Sequence, residues 1–246
     1  MQEADKKFFI ENGFLLIKGV FSEDECAGWK TNLLSEIERG KEMLLKSQQG
    51  PTPQAENRNR LADVPRGIRG GMLQDIAHRN DLFMRVAKDK RLLDCVAPFL
   101  GEDMVMFRSL CSFKPVGYTG AVEWHQDMSY WVGETKKITT WISLDKTSDA
   151  SGALHVIPKT HHAQINDPTY QDYINTHSVP EHHIDLSKDV LLETNIGDVI
   201  LIHSQTFHSS RPSTTGEDRY ALIYTYQPAS DQSHHREGPP VNVSAA

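Results

Sequence analysis

Between residues 104 and 226 the sequence sets down a succession of short apolar stretches, at 104–114, 121–127, 138–144, 153–157, 190–194, 198–203 and 219–226, divided by clusters of Gly, Pro, Asp and Ser. Their length and alternation are those of strands, and no segment of helical period comes between them. Many short strands in succession close best into a barrel or a pair of facing sheets, so the expected fold is mainly β with flanking helices, a jelly-roll barrel.

The helical signals come earlier in the chain. A short amphipathic stretch ends at Gly13, and the apolar run Phe14 to Val20 follows as a strand. Ser22 with Glu25 forms a capping-box pattern, and the spacing of Trp29, Leu33, Leu34 and Ile37 predicts a helix to about Leu45. "LFMRVAKDKRLLDCVAPFLG" has helical spacing and stops at Pro98 and Gly101. Residues 47–71, rich in Pro, Gly, Gln and Asn, are expected to form a long loop, and Arg58, Arg60, Arg66 and Arg69 within it would let a lid meet an anionic substrate. At 246 residues, one domain over 1–229 is expected, followed by a flexible tail over 230–246.

A formal net charge of -7 argues against nucleic acid or an anionic membrane as partner and favours a small molecule. No run approaches the roughly 18 apolar residues that span a bilayer. Cys26, Cys95 and Cys111 form no CxxC pair, which points to a reducing, cytoplasmic setting without a disulfide framework or a zinc-thiolate site.

The chemistry centres on "EWHQDMSYW", residues 123–131. On a strand, His125 and Asp127 share a face because side chains repeat with period two. An imidazole and a carboxylate so placed can occupy two corners of an octahedral metal site, and a distant histidine can complete a facial triad with open positions. His203 and His208 are both candidates; on one continuous strand their odd spacing would turn them to opposite faces, and spacing alone does not choose between them. The adjacent pairs His161–His162, His182–His183 and His234–His235 are expected in solvent rather than on a metal.

His125-x-Asp127, a distal histidine and Arg219 eleven residues beyond His208, together with "SGALHVIPKTH", "GDVILIH" and "HSS" in that order, resemble the phytanoyl-CoA dioxygenase family. The resemblance extends to "ENGFLLIKGVFS" and "LLDCVAPFLGEDMVMFRSLCSFKP", so it covers nearly the whole chain apart from the 47–71 loop and the tail. It implies a double-stranded β-helix, cupin-like, and an iron(II)- and 2-oxoglutarate-dependent oxygenase that hydroxylates a small metabolite while 2-oxoglutarate and O2 yield succinate and CO2. His125, Asp127 and His208 would hold the metal, and Arg219, assisted by Ser210, the distal carboxylate of 2-oxoglutarate. Trp141 and Lys114 would stand beside this cosubstrate, and Tyr130 and Trp131 on the substrate side. The carboxylate at Asp127 disfavours halogenation, which in such enzymes needs a small residue there. An acyl-CoA hydroxylase and a catalytically idle metal-binding jelly roll are the competing readings.

Overall fold

The structure, a computed structural model, describes residues 1–48, 68–69, 71–116, 120–130, 137–162, 179, 184–231, 233 and 240–244. Helix α1 (Glu3–Asn12) ends on Gly13, whose φ of 81° is left-handed, and strand β1 (Phe14–Ile17) leaves from it. Helix α2 (Glu23–Gln48) opens with the expected capping box: the Ser22 amide donates to the Glu25 carboxylate at 2.9 Å and the Glu25 amide to the Ser22 hydroxyl at 3.3 Å. It runs past the expected end at Leu45.

Strands β2 (Ile68–Arg69) and β3 (Met72–Gln74) lead to α3 (Ile76–Arg79), α4 (Asp81–Ala87) and α5 (Lys90–Leu100). The stretch expected as one helix over 82–101 is thus broken in two. The Asp89 side chain accepts from the Arg91 amide at 2.9 Å and starts a new helix there, while Pro98 is tolerated in the last turn before Gly101.

Nine further strands follow: β4 (Met104–Lys114), β5 (Val122–His125), β6 (Ile138–Ser143), β7 (Leu154–Ile157), β8 (Val190–Leu192), β9 (Val199–His203), β10 (Phe207–Ser210), β11 (Arg219–Pro228) and β12 (Val241–Asn242). One sheet has the order β1-β9-β6-β11-β4-β3-β2 with β12 also on β4; the other has the order β5-β10-β7-β8, and all pairings are antiparallel. This is the jelly roll that the strand succession predicts. Strands β2, β3, β10 and β12 were not among the expected ones. Each is four residues or fewer, too short for alternation to register.

Period-two alternation divides the large sheet between two environments. On β11, Leu222, Tyr224 and Tyr226 enter the main core with Leu33, Phe83 and Val96 of the helices, whereas Ala221 and Ile223 turn inward to Trp141, Leu154 and Ile200. The Tyr224 hydroxyl donates to the Phe83 carbonyl at 3.1 Å and the Tyr226 hydroxyl to Ala87 at 2.8 Å, which pins α4 to the sheet while satisfying two buried phenols.

Gly197, at φ 82°, packs where a Cβ would collide with the Phe21 carbonyl, so glycine is required at that crossing. The described part of the tail is not free, contrary to expectation. Asp231 pairs with the buried Lys137 at 2.9 Å, β12 pairs with β4, and Val243 is buried. A buried ammonium requires such a partner, and this one lies just past the last predicted strand. Cys26, Cys95 and Cys111 are all free and buried. Among the described residues no helix is long and apolar enough to cross a membrane.

Candidate metal centre

Three side chains converge between the sheets: ligand atoms of His125, Asp127 and His208 all lie within 4.8 Å of one another. Strands β5 and β10 bring the imidazoles together, because His125 and His208 are direct cross-strand partners and their ring centroids are 4.1 Å apart. The expectation that Asp127 continues the strand is corrected. β5 ends at His125, the Met128 amide bonds the Ser204 carbonyl at 3.0 Å, and Asp127 opens a 3-10 turn. On a straight strand two residues i and i+2 stand about 6.8 Å apart; the turn swings the carboxylate back toward the ring. Asp127 Oδ1 then lies 3.8 Å from His125 Nε2 and 3.9 Å from His208 Nε2, too long for hydrogen bonds and short enough for one ion to touch all three.

The remaining polar atoms of the triad are fixed from behind. His125 Nδ1 faces the Glu123 carbonyl at 2.7 Å and His208 Nδ1 the Thr206 carbonyl at 3.0 Å. A carbonyl only accepts, so each Nδ1 carries the proton and each Nε2 turns its lone pair toward the cluster. Asp127 Oδ2 accepts from the Thr139 hydroxyl at 2.9 Å, and Thr139 also meets the Thr225 hydroxyl at 3.1 Å. This donor set of two imidazoles and one oriented carboxylate fits a divalent transition metal.

Burial, then the neighbouring His208, push the His125 imidazole down to about 4, with Asp127 opposing. The ring is therefore neutral near pH 7, as a ligand must be. A folded value below the ordinary 6.5 means that the unfolded chain takes up a proton first as pH falls. Metal-free protein should accordingly lose stability as pH drops from 6.5 toward 4. Thermal melts across that window should show a steeper pH dependence for the wild type than for His125→Asn; equal slopes would contradict the buried neutral ring.

His203 lies elsewhere. It ends β9, the chain turns, and His208 belongs to β10 of the other sheet, so the premise of one continuous strand does not hold. His203 Nδ1 accepts from the Gln205 amide at 3.2 Å, and its ring is 5.1 Å from that of His161. His161 is itself buried, with Nε2 on the Ile10 carbonyl at 3.0 Å, whereas its neighbour His162 is exposed as expected. Residues 182–183 and 234–235 lie outside the described residues.

A cavity of about 170 Å³ opens on the triad; Ser112, Trp141 and Ser210 line it at one end, next to Arg219 and Lys114, and Met72, Arg108, Leu110, Val122, Thr139, Leu154, Ile202, Ile223 and Thr225 complete its wall. Trp141 and Ser210, expected beside the cosubstrate, both line this cavity. Arg219 and Lys114 are cross-strand partners at the Ser112 end, and they sit behind the wall rather than on it. The fully buried Arg219 guanidinium lies 4.8 Å from the centre of the Trp141 ring, with Nη2 3.4 Å from the Ser112 hydroxyl. Lys114 donates to the carbonyls of Ser210 and Arg211; burial and then the charge of Arg219 pull its ammonium down to about 7.

Sequence reasoning missed Thr139, Thr225 and Arg108. The parity of β4, β6 and β11 would have found them, since Arg108 shares a face with Ser112 and Lys114, Thr139 with Trp141, and Thr225 with Ile223 and Arg219. Tyr130 ends the 3-10 turn and Arg69 belongs to β2, and for both only the backbone is described. Trp131, Arg58, Arg60 and Arg66, and with them most of the expected lid over 47–71, lie outside the described residues.

The family model described as Phytanoyl-CoA dioxygenase (PhyH) matches residues 9–221. A probable alpha-ketoglutarate-dependent hypophosphite dioxygenase of Stutzerimonas stutzeri is 26% identical over 239 residues, covering 93% of this chain and 79% of the relative. An L-proline trans-4-hydroxylase of Streptomyces griseoviridis is 23% identical over 187 residues, covering 67% and 70%. Among solved structures, EvdO2 from Micromonospora carbonacea var. aurantiaca, complexed with 2-oxoglutarate, superposes with a TM-score of 0.68 at 19% identity, covering 97% of this chain and 94% of that one.

Proposed function

This chain belongs to the phytanoyl-CoA dioxygenase family, and from that membership we propose that it hydroxylates a small-molecule metabolite as an iron(II)- and 2-oxoglutarate-dependent dioxygenase. The observation that carries the reading is the convergence of His125, Asp127 and His208 on one point of the cavity, each held by a second bond from behind. Their partners leave two Nε2 lone pairs and one carboxylate oxygen to bind a metal. Iron(II) held there with 2-oxoglutarate supplies the oxidising chemistry: one oxygen atom of O2 enters a substrate C–H bond and the other enters succinate as CO2 leaves.

The chain's own residues bind, orient and exclude water. Thr139 fixes the angle of the Asp127 carboxylate. Arg219 takes the distal carboxylate of 2-oxoglutarate, with the Ser112 and Ser210 hydroxyls at the cavity surface in front of it. Its planar fork suits that carboxylate, and its charge persists under burial, where Lys114 is drawn toward neutrality. Trp141 stacks on the guanidinium and keeps that end dry. The apolar wall of Leu110, Val122, Leu154 and Ile223 holds the substrate against the triad. Hypophosphite and L-proline, the compounds in the names of two relatives that this chain covers by two thirds or more, are small, as the proposed metabolite is.

The test is a metabolite library incubated with the protein, iron(II), ascorbate, 2-oxoglutarate and O2, with succinate followed against product mass. The true substrate should raise succinate release in step with a product one oxygen heavier. Failure of the purified protein to bind iron(II) and 2-oxoglutarate together would reject the proposal.

A further inference from the structure

The cavity holds a second cation that the cosubstrate does not need. Arg108 stands on its wall among Met72, Leu110, Val122 and Thr225, in a stretch of β4 whose inward residues are otherwise apolar or small. Among the described residues no carboxylate lies within 4.0 Å of it. Nη2 donates to the neutral amide oxygen of Gln74 at 2.9 Å, and Nε is buried without a hydrogen-bond partner. A guanidinium has five donors in a fixed fork, and withdrawing it from water without an opposite charge is costly. A cavity ligand that brings an oxyanion removes that cost.

Position separates this cation from the Arg219 end. The Arg219 guanidinium lies beside the Ser112 hydroxyl, and Ser112 is four residues from Arg108 along β4, or about 14 Å at a rise of about 3.4 Å per residue. One small dicarboxylate held at Arg219 does not also engage Arg108. Toward the triad the distance is short: Arg108 is the cross-strand partner of Thr225, whose hydroxyl meets that of Thr139, which holds Asp127.

We propose that Arg108, oriented by Gln74, binds the oxyanion of the prime substrate and so selects a small anionic metabolite, a carboxylate or a phosphorus oxyanion, whose remaining atoms reach the metal centre. The assignment rests on the proposed dioxygenase reading for what happens to the substrate, and on the cavity alone for what Arg108 binds. Arg108 is in this sense a specificity-determining residue. The Gln74 amide oxygen, which accepts from Nη2, fixes the fork.

The experiment is calorimetric titration of acetate, L-proline and hypophosphite, with acetamide as the neutral counterpart of acetate. It is carried out on metal-free protein and on protein loaded anaerobically with iron(II) and 2-oxoglutarate. At least one anion should bind the wild type at least tenfold more tightly than Arg108→Gln, with Arg108→Lys between them and acetamide not binding. Preference for hypophosphite or for the two carboxylates identifies the oxyanion. Arg108→Gln should keep the 2-oxoglutarate affinity of the wild type within twofold, which also reports an intact fold. Equal anion affinities in wild type and variant, no anion binding to the wild type, or a loss of 2-oxoglutarate affinity in Arg108→Gln would overturn the proposal. If the wild type fails to load with iron and 2-oxoglutarate, the dioxygenase reading fails, and the metal-free titration still decides the role of Arg108.

Discussion

Alanine at His125, Asp127 or His208 is expected to lower iron(II) affinity by at least about 100-fold, since partners that merely orient a ligand already cost about 10- to 100-fold. Thr139→Val, which leaves the Asp127 carboxylate in place without its hydroxyl donor, should cost about tenfold. His203→Ala should bind iron like the wild type, because its ring packs on His161 and its Nδ1 is engaged with the Gln205 amide. Metal analysis after anaerobic loading and desalting separates the cases. Retention of iron by His208→Ala together with its loss from His203→Ala would reverse the assignment of the third ligand.

The second large effect is expected at Arg219. Charge-assisted hydrogen bonds are worth about 1.5–3 kcal/mol each, so Arg219→Ala should weaken 2-oxoglutarate by at least about tenfold while iron(II) still binds. Arg219→Lys should recover part of the loss, since it restores charge without the fork. The alanine variant also removes the cation that helps depress Lys114, so that ammonium should hold its proton to higher pH. Following the visible absorption of the anaerobic iron complex during 2-oxoglutarate titration measures the affinity directly. An unchanged affinity in Arg219→Ala would remove Arg219 from the site.

The parts of this architecture that sequence could reveal are those governed by a period. Strand β4 has its expected bounds, and β6, β7 and β9 lie within one residue of theirs, because alternation between the barrel interior and a second buried face is strict there. His125 was legible from its spacing to Asp127, whereas His208 was legible only once the resemblance supplied an order of motifs, since spacing alone left His203 and His208 equivalent. What sequence could not supply was the turn at Asp127, which depends on a contact with Ser204 almost eighty residues away, and the hydroxyl chain through Thr139 and Thr225, which depends on the register of β6 against β11. Buried His161 was misjudged for a related reason. Its partner is a backbone carbonyl at the end of α1, invisible from the local pattern.

The place of β11 in the large sheet has a consequence for how the protein is made. It lies between β4 and β6, yet it is synthesised after both and after ten of the twelve described strands. Until residues 219–228 leave the ribosome, β4 and β6 each present an unpaired edge, the kind of template that joins one nascent chain to another. Closing the sheet then means inserting a strand between partners that lie 78 to 124 residues earlier in the chain, and such non-local pairing is slow. Recombinant production should therefore gain most from conditions that lengthen the time a released chain spends alone, such as slow induction at low temperature, because the last long strand to be made is also the one that brings Arg219 and Thr225 to the cavity.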